Sequence, residues 1–135
     1  MPSKALIAGL AGAAAVLVIG GSVVGDRLLS RRQMHERVAV MTGGEPGQGE
    51  AAIQSRACGG CHVIPGVSGA RGKVGPPLTG FAGRVYIGGR ASNTPANLVA
   101  WIQDPHAIDP QSAMPNMGIG EAEARDIAAY LLTLN

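Results

Sequence analysis

The chain's only two cysteines stand in the stretch ACGGCHVIPG, residues 57–66, and their spacing restricts the fold more than any other motif. Cys58 and Cys61 are three residues apart, and His62 follows directly. A zinc ion, a disulfide and a covalently attached haem all use these residue types. The rest of the sequence must therefore decide what the motif holds.

Two of these alternatives have little support in the sequence. A structural zinc ion needs about four ligands, and the other two histidines, His35 and His106, are isolated from the motif and from each other. A thioredoxin-like dithiol expects a strand and a βαβ unit around its CxxC. No run of β-branched residues lies near residues 58–61, so neither zinc nor a redox dithiol is favoured.

Covalent haem attachment fits the spacing for a physical reason. Residues three apart on a helical turn lie on one face, so both sulfurs can reach the two vinyl groups along one porphyrin edge. The next residue can then bring a ring nitrogen to the iron, and CxxCH is the attachment pattern of c-type haem. We expect one haem c, bound through Cys58 and Cys61, with His62 as an iron ligand.

Composition also favours a cofactor. The whole chain has one Phe, two Tyr and one Trp, which is little apolar bulk for a core. Domains of this size usually need a staple or a bound group to be stable. A covalently held macrocycle would supply that bulk, with the many Gly and Pro residues forming loops around it.

The sixth position on the iron decides between two kinds of chemistry. A thioether there gives an electron carrier, whereas an open position permits ligand or peroxide chemistry. Met114, which is 52 residues after His62, precedes Pro115 and so lies in extended chain that can cross a ring face. We predict Met114 as the ligand. Met117 is the alternative ligand, unless it is simply a packing methionine. His106 is interpreted as a solvated turn residue.

A long uncharged segment, Ala5–Gly25, lies near the N-terminus. As a helix its 21 residues would span about 31 Å, enough to cross the core of a bilayer. A cleaved signal peptide is the alternative, with Lys4 as its charged region, but the run exceeds the usual apolar length of about 7 to 15 residues. We predict an uncleaved transmembrane anchor over residues 1–25.

Residues 26–48 are predicted to join this anchor to a globular domain. Their first part can extend the helix past the membrane surface, whereas TGGEPGQG, residues 42–49, predicts a flexible joint. Residues 1–44 carry five basic and two acidic side chains, and residues 45–135 carry six and seven. The arginines after the anchor have no aromatic partners nearby, which argues against nucleic acid and favours membrane lipid headgroups.

From about residue 47 to the end, the sequence resembles the class I cytochromes c. The segments that carry the resemblance occur in the family's order: ACGGCH, GPPLTGFAGR at 75–84, NLVAWIQDP at 97–105, AMP at 113–115 and EAEARDIAAYLLTL from Glu121. The chain is especially similar to the cytochrome c domains attached to subunit II of haem-copper oxidases and to small membrane-anchored cytochromes c. The resemblance implies an all-α class I cytochrome c fold over residues 49–135, a small helical domain around one haem.

The same resemblance implies roles for single residues. The carbonyl of Pro76 would accept the Nδ1 proton of His62, fixing its tautomer. Arg84 matches a position that contacts a haem propionate, whereas Arg90 is interpreted as a solvated surface charge. Trp101 would pack beside the haem on the methionine side, either as an ordinary core aromatic or in a specific hydrogen-bonding role.

Two terminal helices are expected to carry the fold. Residues 49–57 are predicted to form the first helix, with Ala52 and Ile53 facing inward. In the last helix, four apolar residues recur at helical spacing: Ile127, Tyr130, Leu131 and Leu134. In the resembling family the first helix packs across the last.

The arginines after the anchor bear on orientation. By the positive-inside rule they would place the following domain in the cytoplasm. The resembling family, however, receives its haem after export, in the bacterial periplasm. We therefore expect an anchor in the bacterial inner membrane with the haem domain on the periplasmic side.

The predicted function is single-electron transfer by a carrier that is not itself an enzyme. Its expected donors are a quinol–cytochrome c reductase or a periplasmic dehydrogenase, and its expected acceptor is a terminal oxidase. A fixed haem c subunit of a larger respiratory complex is the alternative, because the pairs Ala8/Gly12 and Gly21/Gly25 have the spacing that lets transmembrane helices approach closely. An enzyme or ligand sensor with an open haem position is the third hypothesis.

Overall fold

A computed structural model describes the backbone of residues 4–135 and the side chains of residues 17 and 19–135. The chain divides into two compact units, residues 1–34 and 35–135. Across this described part, the helices and strands follow in the order α1 (Lys4–Thr42), α2 (Pro46–Ser55), β1 (Tyr86–Ile87), β2 (Ala91–Ser92), α3 (Pro95–Gln103), α4 (Pro105–Ile108) and α5 (Glu121–Leu131).

The first unit is helical from residue 4 onward and belongs to α1. Among the described residues we find no helix with the length and apolar character needed to span a bilayer. The predicted anchor, residues 1–25, includes residues 1–16 and 18, whose side chains lie outside the described part. The anchor therefore stays a prediction.

The second unit is built on the crossing of α2 and α5, and two small residues make this crossing close. A Cβ added to Gly49 would lie 3.0 Å from the Cβ of Tyr130 and would overlap the carbonyl group of Asp126. A Cβ added to Gly44 would lie 2.5 Å from the amide nitrogen of Asp126. Only residues without a side chain allow the two backbones to approach in this way.

The bounds of α2 have local causes. Pro46 occupies the first turn, where its missing N–H is no loss, so the helix begins three residues before the predicted residue 49. It ends at Ser55 because Ala57 has a φ of 54°, in the left-handed region. Ile53 is buried and Ala52 half-buried, so both are on the inner side as predicted.

The segment after α1 differs from the expected flexible joint. The Arg125 guanidinium donates to the carbonyl oxygen of Thr42, with 2.9 Å between nitrogen and oxygen, at the end of α1. The next side chain of α5, Asp126, accepts the backbone N–H of Glu45 at 2.7 Å. Two consecutive residues of α5 therefore fix the turn between α1 and α2, so the domain is held at residues 43–48 rather than hinged there.

The last helix follows its predicted pattern with one difference. Ile127, Tyr130 and Leu131 are buried, and each buried side chain of this kind contributes about 1.5 to 3 kcal/mol. The helix ends at Leu131 rather than at the predicted residue 134, because the N–H of Leu134 bonds to the Leu131 carbonyl in a tighter turn. Its own carbonyl accepts the N–H of Ala82, which ties the C-terminus to the middle of the chain.

The middle of the domain holds the exception to the all-α prediction, an antiparallel hairpin. Strand β1 pairs with β2 through Tyr86 opposite Ser92 and Ile87 opposite Ala91. Its turn contains Gly88 and Gly89, with φ of 56° and 70°, values that favour glycine. A domain that is otherwise helical therefore carries a short two-stranded element beside α3.

Helices α3 and α4 follow one another with little chain between them. The Thr94 side chain accepts the N–H of Asn97 and caps α3, as short hydroxyl side chains do. The Asp104 carboxylate accepts the N–H of His106 at 3.1 Å and caps α4 in the same way. This pair of helices brings the residues after α4 back over the domain interior.

The close crossing generates a stability prediction. Replacing Gly49 with Ala forces the Asp126 carbonyl away, so we expect the free energy of unfolding, measured in urea, to fall by about 1 to 3 kcal/mol. Gly47→Ala is the matched control, because this residue lies in the same helix with nothing within 4 Å of an added Cβ; we expect unchanged stability or a gain of up to about 1 kcal/mol. Both variants are measured as haem-loaded chains. Equal urea midpoints for Gly49→Ala and Gly47→Ala would contradict the close crossing of α2 and α5.

Candidate functional site

A cavity of about 490 Å³ opens into the 35–135 unit, within the range of about 300 to 1,000 Å³ typical of ligand sites. Buried aliphatic side chains from α2, α3, α5 and a loop form its wall: Ile53, Ile64, Leu98, Ile102, Ile127 and Leu131. The structure brings all seven of the predicted site residues to this cavity: Cys58, Cys61, His62, Pro76, Arg84, Trp101 and Met114. Residues spread over 57 positions of sequence therefore share one site.

The cysteine motif begins with a sharp change of direction. Ala57, with its left-handed φ, ends the path of α2, and a 3₁₀ turn follows over Cys58–Gly60. The N–H groups of Cys61 and His62 both bond to the carbonyl of Cys58, at 3.2 and 3.0 Å. This tight turn presents two free thiols and the imidazole to the same cavity.

The orientation of the imidazole follows from one hydrogen bond. The Nδ1–H of His62 donates to the carbonyl oxygen of Pro76, with 2.8 Å between the atoms. A carbonyl oxygen can only accept, so this bond requires a proton on Nδ1, and in the neutral ring the lone pair is then on Nε2. An imidazole in this tautomer is the form that ligates a metal.

The loop that provides this carbonyl is bonded to the motif itself. The N–H of Gly75 donates to the carbonyl of Cys61, and the N–H of Leu78 to the carbonyl of Val63, each at 2.8 Å. A Cβ on Gly75 would lie 2.6 Å from Nδ1 and 2.8 Å from Nε2 of His62. The ring therefore lies flat against a backbone that must lack a side chain, a role for Gly75 that sequence reasoning missed.

Met114 and Met117 both line the cavity, but they differ in exposure. Met114 is half-buried, and its backbone N–H donates to the Ser112 hydroxyl at 3.2 Å. Met117 is 38% exposed. His106, interpreted as a solvated turn residue, is exposed, but it lies in α4 and its Nε2 is 3.1 Å from the Ser112 carbonyl. Met114 is thus the less exposed of the two methionines, while local bonds lie on both sides of the loop, since the N–H of Gly118 donates to the Asn116 side chain at 2.9 Å.

The two arginines have partners within the protein. The Arg84 guanidinium donates to the carbonyls of Pro77 and Thr79 and lies 5.2 Å above the centre of the Phe81 ring, so it is fixed at the cavity edge by backbone. Arg90, interpreted as a solvated surface charge, is exposed and forms an ion pair with Asp109 at 3.4 Å. Arg84 and Asp109 therefore supply opposite charges to the lining of a cavity that is otherwise mostly apolar.

Trp101 is half-buried against the hairpin turn. A Cβ on Gly88 would lie 2.9 Å from its Cζ2 atom, so the indole packs on bare backbone. Among the described residues no hydrogen bond is found for its indole nitrogen. The indole thus makes packing contacts with the turn, and its hydrogen-bonding role stays a prediction.

The donor atoms at this cavity suit a c-type haem. Two thiols lie three residues apart, an imidazole offers its Nε2, a thioether lies in the same cavity, and the wall is apolar. Burial raises the pKa of the Cys58 thiol above its usual value, whereas a reactive redox dithiol needs a lowered one. Within the described part of the chain, no group of three or more His, Cys, Asp or Glu side chains is placed to hold a metal ion.

Comparison with known proteins agrees with this chemistry. A protein-family model described as cytochrome c matches residues 47–135. None of the curated proteins compared with the chain matches it. The matched residues include the whole cysteine motif and every helix from α3 onward.

The contact between Gly75 and His62 generates a second prediction. Gly75→Ala pushes the imidazole away from the Pro76 carbonyl, and loss of such a supporting bond weakens metal binding about 10- to 100-fold. We expect the haem-loaded variant to show a partly high-spin spectrum and tighter binding of added cyanide. Gly83→Ala, with nothing within 4 Å of its Cβ, is the control. A low-spin spectrum in both variants would count against the role assigned to Gly75.

Proposed function

The chain belongs to the cytochrome c family, and on that premise we propose that it is a membrane-anchored mono-haem electron carrier. Membership implies a covalent haem c and haem-based electron transfer, generally without enzymatic activity. The two cysteines of the motif are consistent with one haem. The proposal goes further in naming the ligands, the anchor and the class of partner.

The observation that carries the proposal is the bond between His62 Nδ1–H and the Pro76 carbonyl. With Nδ1 engaged in this bond, Nε2 is the ring nitrogen available to bind a metal. It belongs to the same cavity as the two thiols and Met114. A haem c held there supplies reversible one-electron transfer between ferric and ferrous iron, and methionine ligation raises its potential. The chain's own part is to fix the imidazole, hold the thioether and exclude water with aliphatic side chains.

We assign the sixth ligand to Met114 rather than Met117. Met114 is the less exposed of the two, and its backbone is bonded to Ser112. Met117 lies beyond Pro115, just before Gly118, which has a φ of 64°. A ligand that holds iron through both oxidation states needs a shielded side chain on a bonded loop, because each movement of the loop would change the iron's surroundings.

Two matched substitutions test this assignment. Met114→Ala should lose the weak near-red iron–sulfur band, lower the reduction potential and let the reduced protein bind carbon monoxide, because the iron loses its thioether. Met117→Ala should keep the band and the potential. The measurements are visible spectra and a redox titration of the haem-loaded chain. If the unaltered protein binds carbon monoxide and lacks the band, the site is open, and an enzyme or sensor is the better function.

We further propose that residues 1–25 anchor the chain in the bacterial inner membrane with the haem domain in the periplasm. The support is the uncharged run Ala5–Gly25 in the sequence, together with the need for export before haem attachment in this family. The proposed partners are a quinol–cytochrome c reductase or periplasmic dehydrogenase and a terminal oxidase. The sequence resemblance to cytochrome c domains of haem-copper oxidase subunit II favours the oxidase as acceptor.

A second candidate is a fixed haem c subunit of a respiratory complex, and one observation favours it. Arg125 and Asp126 bind the end of α1 and the start of α2, so the domain has no free joint at residues 43–48. A carrier that travels between partners on a tether gains from such a joint, because flexible linkers widen its reach. A subunit docked in one complex has no need of it.

Solubilised membranes distinguish the two candidates. In mild detergent, a carrier should elute in gel filtration as a small species with a c-type spectrum alone. A fixed subunit should elute with the a- or b-type haem spectrum of its complex, in a constant ratio to haem c across the peak. We expect the first result. Recovery of haem c in the soluble fraction without detergent would contradict the anchor.

A further inference from the structure

The loop between α4 and α5 carries Met114, and its hydrogen bonds are almost all local. The N–H of Ser112 donates to the Asp109 carbonyl at 2.9 Å, and the N–H of Gln111 to the Asp109 carboxylate at 3.2 Å. The N–H of Met114 donates to the Ser112 hydroxyl at 3.2 Å. These bonds give residues 109–114 a definite shape, and Asp109 holds its start through its N–H, which donates to the Pro105 carbonyl, and through its ion pair with Arg90.

A further hydrogen bond connects the loop to the domain nearer to Met114. The Nε2–H of His106, in α4, donates to the Ser112 carbonyl with 3.1 Å between the atoms. Among the hydrogen bonds of residues 110–118 in the described chain, it alone reaches a residue outside the loop. Because a carbonyl oxygen only accepts, this bond also places the ring proton on Nε2.

The position of His106 is itself well defined. Its backbone N–H bonds to the Asp104 carboxylate that caps α4, and the preceding Pro105 is among the most deeply buried residues of the domain. The side chain is exposed, but its base is part of the folded core. It can therefore serve as a fixed point for the loop.

We infer that His106 is a positioning residue for Met114, holding the methionine loop against α4 through the Ser112 carbonyl. The inference rests on the proposed function, since it takes Met114 as the haem ligand. Ser112 is the link: its carbonyl accepts from His106 and its hydroxyl accepts from the backbone of Met114. A continuous path of hydrogen bonds thus runs from α4 to the residue that carries the thioether.

The chain composition makes the tie at Ser112 matter. Pro110 and Pro115 restrict φ on both sides of Met114 and offer no N–H of their own. The other ties of the loop are at Asp109, five residues before Met114, so loss of the bond at Ser112 leaves the segment that carries the thioether free to shift. The thioether should then leave the iron more often, and an added ligand that competes for the same position should bind more tightly.

The test is a titration of the oxidised, haem-loaded full chain with imidazole. The readout is the near-red iron–sulfur band, which is lost as imidazole replaces the thioether. We expect His106→Ala to bind imidazole about two- to tenfold more tightly, the range that one net hydrogen bond supports. In His106→Gln the side-chain amide can donate where Nε2 does, so its affinity should return toward the wild-type value. His35→Ala, which removes an exposed histidine of α1, should leave it unchanged.

The outcomes separate this inference from the proposed function. If His106→Ala binds imidazole like the unaltered chain, or if His106→Gln behaves like His106→Ala, the positioning role is overturned while Met114 ligation stands. If the unaltered chain has no near-red band, or Met114→Ala retains it, the ligand assignment fails and this inference fails with it. Thermal unfolding of each variant shows whether the domain is intact.

Discussion

The bond between His62 Nδ1 and the Pro76 carbonyl is the interaction on which the site depends. It selects one of two tautomers, and with it the nitrogen that is free to bind a metal. The bond exists because the loop at residues 75–78 is itself bonded to the chain at Cys61 and Val63. Gly75 allows the ring to lie against that loop, so the backbone and the imidazole form one unit.

The glycines at the helix crossing play a similar part for the domain. Gly44 and Gly49 let α2 and the turn before it lie directly on the backbone of α5. Arg125 and Asp126 then bind the chain on both sides of that turn. As a result the turn between α1 and α2 is held to α5 by a hydrogen bond at each of its ends.

The sequence predicted those parts of the site that depend on short motifs. CxxCH indicates its chemistry within a few residues, so Cys58, Cys61 and His62 could be identified before the fold was known, whereas Pro76 followed from the resemblance to the class I cytochromes c. Met114 could be favoured because Pro115 enforces extended chain. The buried pattern of α5 could likewise be predicted, because helical spacing is a local property.

Other features depend on contacts that no local pattern records. The segment TGGEPGQG has the composition of a flexible linker, yet two of its glycines, Gly44 and Gly49, are needed for close approach to α5. The hairpin strands are two residues long, too short for an alternating pattern, although Gly88–Gly89 is a turn signal. The bond from His106 to Ser112 depends on how the chain folds back after α4, and neither residue type indicates it alone.

The central claim is that the motif at Cys58–His62 holds one covalent haem, and the mass of the denatured chain tests it most directly. The full chain would be produced in a bacterium that attaches haem to exported proteins, then denatured and measured by mass spectrometry with a thiol assay. The account predicts the mass of the chain plus one haem and no free thiol. The mass of the unmodified chain with two reactive thiols would contradict it.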